Sequence, residues 1–318
     1  MTSILIRGMH GIGDNIYSRA VLRQYSAYYD QIWLETPWPQ IWHDMPQLRL
    51  VAPPTNLRTQ QKNMAKGHPR YETAPVGVQS LKLWYYSHEI VSGKWDSLPN
   101  AMLGNMRCTI PGDYRLPVPS AWQDRASRLI GETDKPLMIY RPLTARSEWR
   151  ASATRNPDPT AFTEIFKSIR DKFFVISIAD VDDKNEWLVS EPIDADLTFH
   201  NGQLDVETLA GLFRIADCVY AAPGFALAMA QAVETPGIFV FGGHESSKAY
   251  RSSATFAPAL MIDPIAPCDC FNDQHRCDKR IDINPAKVRA AKWTRQLIDS
   301  LQPITTAMPS IGNIKMQA

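Results

Sequence analysis

From Leu137 onward the chain repeats an alternation that few folds can accommodate. "LMIY" (Leu137 to Tyr140) reads as a buried strand, Pro159 to Lys172 as a helix and Phe173 to Ile178 as a strand. Val206 to Ala216 is a helix, Cys218 to Ala221 a strand, Ala226 to Val233 a helix and Gly237 to Phe241 a strand. Strands separated by helices pair in parallel through crossovers, so the predicted fold class is α/β. A last helix, Pro285 to Leu301, carries its proline in the first turn and closes the fold.

The N-terminal part begins the same way. "SILIRG" reads as a strand, and Asn15 to Tyr25 sets Ile16, Ala20, Val21 and Tyr25 on one helical side. "QIWLET" and "LRLVA" are further strands, each stopped by prolines. Between Pro53 and Pro119 the periodicity fades, and "LKLWYYSHEI" fits strand and helix equally. "SAWQDRASRLIGE" restores a helix, with Ser120 as its expected N-cap. A length of 318 residues suits two domains. We place the first at 1–130, the second at 131–285, and a closing helix and tail at 286–318. Ligands of open α/β sheets sit beyond the carboxyl ends of the strands, which makes a cleft between the two halves the expected site.

Composition narrows the classes of partner. Hydrophobic residues make up 44% and charged residues 21%, and the formal net charge is +1, which is a globular composition without a whole-molecule attraction to nucleic acid. The opening apolar run is too short for a signal peptide and no segment is long enough to span a bilayer, so the expected location is cytoplasmic. Five cysteines in such a chain argue against a disulfide framework.

Three stretches carry chemistry. In "GMHGIGD" the glycines at 8, 11 and 13 match neither G-x-G-x-x-G nor a Walker A loop. They are expected to let the backbone turn sharply, leaving Asp14 either to cap the helix or to act as a general base in the cleft. In "YAAPGFALAMAQA" a strand runs through Pro223-Gly224-Phe225 into a helix whose exposed N–H groups suit phosphate. The alanines of that helix are explained by close packing alone. In "IYRPLTARSEWRASATRNP", Arg141, Arg146, Arg150 and Arg155 follow a strand, where guanidinium forks suit diphosphate oxygens.

Together these stretches resemble the heptosyltransferase-like glycosyltransferases of family 9, whose GT-B architecture faces two Rossmann-like domains across a cleft. The resemblance implies a nucleotide-diphosphate sugar as co-substrate, no further cofactor, and inverting transfer with Asp14 as the base. It aligns Gly13-Asp14 with the family's Gly-Asp pair, and "RPLTARSEW" with "TRNPDP" (Arg141, Thr144, Arg146, Arg155) with its polar donor loop. "FHNGQLDVETLAGLFRIADCVYAAPG" matches the run that ends at the donor loop and adds Asn201. The chain departs from the family at that loop: Pro223-Gly224-Phe225 replaces Asp-Ser/Thr-Gly, and Ala228 stands where a histidine is usual. Donor contacts then fall to backbone N–H groups and arginines, and a catalytically silent sugar-nucleotide binding protein is the alternative of another class.

Two further features remain. Cys268, Cys270, Cys277 and His275 form a candidate zinc set, but C-x-C-x6-C is not a regular zinc spacing, so no metal is expected. Arg58, Lys62, Lys66 and Arg70 recur every fourth residue and would line one helix face in the acceptor-side domain. With the neighbouring tryptophans and tyrosines, that stripe allows a saccharide acceptor such as lipopolysaccharide core, or hydroxylated bases of DNA. An NAD-dependent enzyme would require Glu35 at the ribose.

Overall fold

The computed structural model describes residues 2–66, 71–149, 154–250, 255–271 and 278–301. The first part of the chain runs β1 (Ser3–Arg7), α1 (Ile12–Tyr25), β2 (Gln31–Glu35), β3 (Leu48–Val51), α2 (Arg58–Met64), β4 (Gln79–Lys82), α3 (Ser87–Val91), α4 (Leu98–Asn105) and α5 (Ser120–Ile130). Its four strands form a parallel sheet in the order β3-β2-β1-β4. Register places Ile4 beside Ile32 and Ile6 beside Leu34, which puts the alternate apolar residues of both strands under α1.

The remainder runs β5 (Leu137–Tyr140), β6 (Thr144–Arg146), α6 (Pro159–Lys167), β7 (Phe174–Ile178), β8 (Glu186–Leu188), β9 (Leu197–Phe199), α7 (Val206–Ile215), β10 (Cys218–Ala221), α8 (Phe225–Ala232), β11 (Gly237–Val240), β12 (Ala259–Ile262) and α9 (Ile283–Leu301). Six strands make a parallel sheet in the order β12-β11-β10-β5-β7-β9, and β6 pairs with β8 in a small antiparallel annex. The central strands β10 and β11 are buried throughout, as expected of a sheet covered on both faces.

The alternation read from the sequence is therefore present, with β5 and β10 at their expected bounds. Several boundaries move. The helix expected to reach Lys172 stops at Lys167, after which Arg170–Lys172 is a 3-10 turn. Helix α1 begins at Ile12 rather than after Asp14, and Pro119, not Ser120, is the N-cap of α5. "LKLWYYSHEI" is both things in succession, the end of β4 and then α3. Strands β6, β8, β9 and β12 have no counterpart in the sequence pattern.

Packing ties the halves together. One core runs from β1 and α1 through α8 to the facing side of the larger sheet, and α1 lies directly along α8. A second core covers the other face, where Tyr140, Phe162, Phe166 and Tyr220 form a ring cluster under α6 and α9. Burying each such ring contributes roughly 1.5–3 kcal/mol. Helix α5, which the sequence groups with the first half, packs along α7, and the expected boundary at 285/286 falls inside α9.

Candidate active site

The loop from β1 to α1 is held by groups on three elements. Asn15 donates to the Met9 and Gly11 carbonyls at 2.5 and 2.8 Å, and its amide oxygen accepts from Thr36 at 2.7 Å. The His10 carbonyl accepts from Trp38 Nε1 at 2.9 Å and from Gln60 at 2.7 Å. The backbone bends at His10–Gly11, but none of Gly8, Gly11 and Gly13 has a positive φ, so the bend needs no conformation reserved for glycine. They permit close approach instead. A Cβ on Gly8 would lie 2.4 Å from the Glu35 carbonyl oxygen, one on Gly11 2.5 Å from Asp14 Oδ2, and one on Gly13 3.4 Å from the Phe225 Cα.

Asp14 does not cap α1. The N-cap is Gly11, without a side-chain bond, and Asp14 sits inside the first turn, its carboxylate accepting a hydrogen bond from the Tyr85 hydroxyl. Burial raises its pKa from the ordinary 3.8 to about 6; the Arg155 guanidinium pulls it down and Glu245 pushes it up. A carboxylate in a helix's first turn is normally favoured by the macrodipole, by about 0.3–1 kcal/mol at a surface. Here the net shift corresponds to about 3 kcal/mol in the opposite direction, so desolvation dominates. Arg155 itself pairs with buried Glu245 at 3.0 Å, whose second oxygen accepts from Tyr250 at 3.1 Å. The hydroxyl of Tyr17, buried against the same cleft, has no hydrogen-bond partner among the described residues.

Across the cleft, β10 feeds into α8 through Pro223 and Gly224. Gly224 has φ +133° and ψ −144°, a conformation open to glycine, and a Cβ there would meet nothing within 4 Å. It is the N-cap of α8 and supplies no side chain, which leaves first-turn N–H groups directed at the cleft. The Arg141 guanidinium lies 5.6 Å from the Phe225 ring centroid.

Beside it, one carboxylate organises three arginines. Glu186, 1% exposed, meets Arg146 at 2.9 Å, Arg141 at 3.1 Å and Arg58 at 3.4 Å. Arg146 and Glu186 are cross-strand partners in the β6–β8 annex, which explains the approach. Arg58 and Lys62 also reach Asp180, at 3.2 and 3.1 Å. Arg58, Lys62, Arg141 and Arg146 thus gather on Glu186 and Asp180 as one basic wall.

The cleft has a volume of about 440 Å³. Gly13, Asp14, Arg141, Thr144, Arg146, Arg155, Pro223, Gly224 and Phe225 line it, and so do Lys62 and Lys66. Asn201 does not; it is exposed, and its carbonyl accepts from Lys62 at 3.4 Å. Arg155 is turned to Glu245 and Asp14 rather than to the α8 end. The basic stripe is also corrected: α2 is only Arg58–Met64, and Arg58 and Lys62 are bonded to the second half of the chain instead of facing a free surface. Arg70, Arg150, His275 and Cys277 lie outside the described residues. Cys268 donates to the Gly243 carbonyl, and among the described residues no three His, Cys, Asp or Glu side chains group to hold a metal.

Neither a protein-family model nor a curated protein sequence matches the chain. Solved structures do. The ADP-heptose lipopolysaccharide heptosyltransferase II of E. coli superposes with a TM-score of 0.56 at 14% identity, over 94% of this chain and 99% of that one. The family 9 glycosyltransferase of Veillonella parvula gives 0.57 at 11%, over 94% and 97%. The iron-containing dodecameric glycosyltransferase TibC of enterotoxigenic E. coli gives 0.60 at 12%, over 95% and 77%. The fold is that of the heptosyltransferase-like glycosyltransferases. On this GT-B fold Asp14 and Gly224 stand at carboxyl ends of central strands in the two sheets, where open α/β sheets hold ligands.

Sequence reasoning missed four residues of the site. Asn15 follows Asp14 directly and was read only as helix; its amide locks the loop. Tyr85, in the ambiguous "LWYYS" run, counts in the sequence only among the aromatics that could stack on a sugar or a base, not as a partner of Asp14. Glu186 and Glu245 lie in stretches without periodicity, "DDKNEWL" and "GGHESS". Buried acids there become legible only once the arginines they bind are placed.

Proposed function

We propose that the protein transfers a sugar from a nucleotide-diphosphate donor to an acceptor hydroxyl with inversion, Asp14 acting as general base. The observation that carries this reading is a partly buried carboxylate, its pKa raised to about 6, facing a bare helix N-terminus and an arginine-rich wall across one cleft. A base with that pKa is ionised at neutral pH yet basic enough to accept a hydroxyl proton as the bond forms. The hydroxyl oxygen attacks the anomeric carbon from the Asp14 side while the diphosphate leaves on the opposite side, toward Gly224. Negative charge growing on the leaving phosphate is met by α8 N–H groups and by Arg141 and Arg146. These protein cations supply the charge stabilisation, so the reaction as proposed draws on no metal.

TibC has been solved in complex with ADP-D-β-D-heptose, and ADP sugars are therefore the first donors to test. A saccharide acceptor is favoured over DNA, because Arg58 and Lys62 of the basic stripe are already paired within the chain. An NAD-dependent reading loses its support at Glu35, which does not line the cleft and whose carbonyl accepts from Gly8. Among the described residues no helix is long and apolar enough to cross a membrane.

The test is a panel of ADP, GDP and UDP sugars scored by mass spectrometry for transfer and for slow donor hydrolysis, with Asp14→Asn beside the unaltered chain. Loss of turnover by about 10²–10⁴-fold in the variant, with donor affinity kept, is the expected result. Donor binding without turnover in the unaltered chain would instead favour a silent binding protein.

A further inference from the structure

A second groove opens on the first half of the molecule, between the C-terminal ends of α1 and α4 and the edge strand β4. Its volume is about 760 Å³. Tyr25, Tyr28, Tyr29 and Trp84 form its aromatic lining, and Lys82 and Arg107 its charged lining. Among the described residues no Asp or Glu lines it. Neither Lys82 nor Arg107 makes an ion pair among the described residues, so both charges are available to a ligand.

Arg107 occupies a position that backbone chemistry would give to glycine. It has φ +56°, its N–H donates to the Gly104 carbonyl at 3.1 Å, and the Cys108 N–H donates to Leu103 at 2.9 Å. These two bonds are a Schellman end to α4, whose left-handed residue is most often Gly. A non-glycine residue there costs about 1–2 kcal/mol. The arginine is thus unfavourable for the helix end it closes, and strained residues of this kind cluster at binding sites.

The aromatic wall is also built for a face-on partner. Tyr28 is 74% exposed, and Trp84 packs against Tyr86 with centroids 3.9 Å apart and ring planes inclined at 58°, giving an angled aromatic platform beside the groove. Leu83–Tyr86 links this platform to the cleft: Trp84 lines the groove while the next residue, Tyr85, bonds Asp14. Along α1, Asp14 and Tyr25 are separated by about 16 Å.

We propose that this groove is a second saccharide-binding site that takes an anionic oligosaccharide, its ring faces against the tyrosines and Trp84 and its phosphate or carboxylate on Arg107 and Lys82. Aromatic faces with two unpaired cations suit a charged sugar. A nucleic-acid strand would call for more cations along a longer track. The inference does not depend on transfer chemistry, because binding is measured without a donor.

The experiment is calorimetric titration of the full chain with three probes: a phosphorylated oligomannoside, the same oligomannoside without phosphate, and a single-stranded oligodeoxynucleotide. Tyr28→Ala and Arg107→Gly are compared with the unaltered chain. The phosphorylated probe is expected to bind best, Tyr28→Ala to weaken both saccharides about fivefold, and Arg107→Gly to remove the preference for phosphate, about tenfold. Arg107→Gly should at the same time raise Tm by about 1–3 °C, since the strain is relieved. Unchanged saccharide affinity in both variants, no saccharide binding at all, or tighter binding of the oligonucleotide would each overturn the proposal.

Discussion

The first turns of α1 and α8 are built alike and do opposite things. Each follows a central parallel strand, each has a glycine N-cap without a side-chain bond, and the two helices pack side by side with Gly13 against Phe225 and Ala228. At α1 the turn carries Asp14, and burial beside Glu245 raises its pKa to about 6. At α8 the turn carries no polar side chain, and Gly224 leaves the N–H groups bare before the arginines that Glu186 gathers. In the proposed mechanism one helix end accepts a proton and the other accepts negative charge. The same local geometry takes its role from what the tertiary structure sets around it.

The strongest way to break this contrast is to remove the organiser of the α8 side. Glu186→Gln leaves Arg58, Arg141 and Arg146 crowded without their shared counter-charge, and an unfolding free energy lower by about 3 kcal/mol is expected by denaturant titration. A midpoint within experimental error of the unaltered chain would show that the arginines repel too little to need it. Gly224→Ala attacks the α8 end itself. Alanine at φ +133° is strained by about 1–3 kcal/mol, so stability falls and donor affinity drops about tenfold, read by calorimetry with ADP sugars.

On the α1 side the contrast is sharpened by pH. Folded Asp14 binds its proton more tightly than the unfolded chain does, so its carboxylate lowers stability as pH rises from about 4 to about 6, by at most about 3 kcal/mol. Asp14→Asn should therefore be the more stable protein at pH 7–8 and lose that advantage below pH 4. Transfer by the unaltered chain should fall about tenfold per unit below pH 6, because the base becomes protonated. The smallest expected effect is Gly11→Ala. Its Cβ would displace the Asp14 carboxylate, and kcat should drop about tenfold with Tm nearly unchanged; an unaltered kcat would show that Asp14 tolerates the shift.

Much of this was legible in one dimension. The apolar runs at Leu137–Tyr140 and Cys218–Ala221 and the helical spacing after Asp14 name an α/β chain, because strand and helix periods are local properties of the backbone. Arg141 and Pro223-Gly224-Phe225 are visible as residues placed just after strands, and Asp14 as the carboxylate after a glycine-bearing loop. The basic stripe misled for the complementary reason: spacing groups Arg58 and Lys62 but cannot show that Asp180 and Glu186, more than a hundred positions away, face them.

What the sequence determined by itself is the order of elements and the two turns where a ligand can meet the backbone, since periodicity and glycine placement act over a few residues. What only the tertiary structure decided is the chemistry at those turns. Asp14 is not the cap of α1, and Tyr85, Arg155 and Glu245 close around it, while Glu245 holds Arg155. A carboxylate's pKa is set by the solvent it loses and the charges it meets, and both arrive from distant parts of the chain.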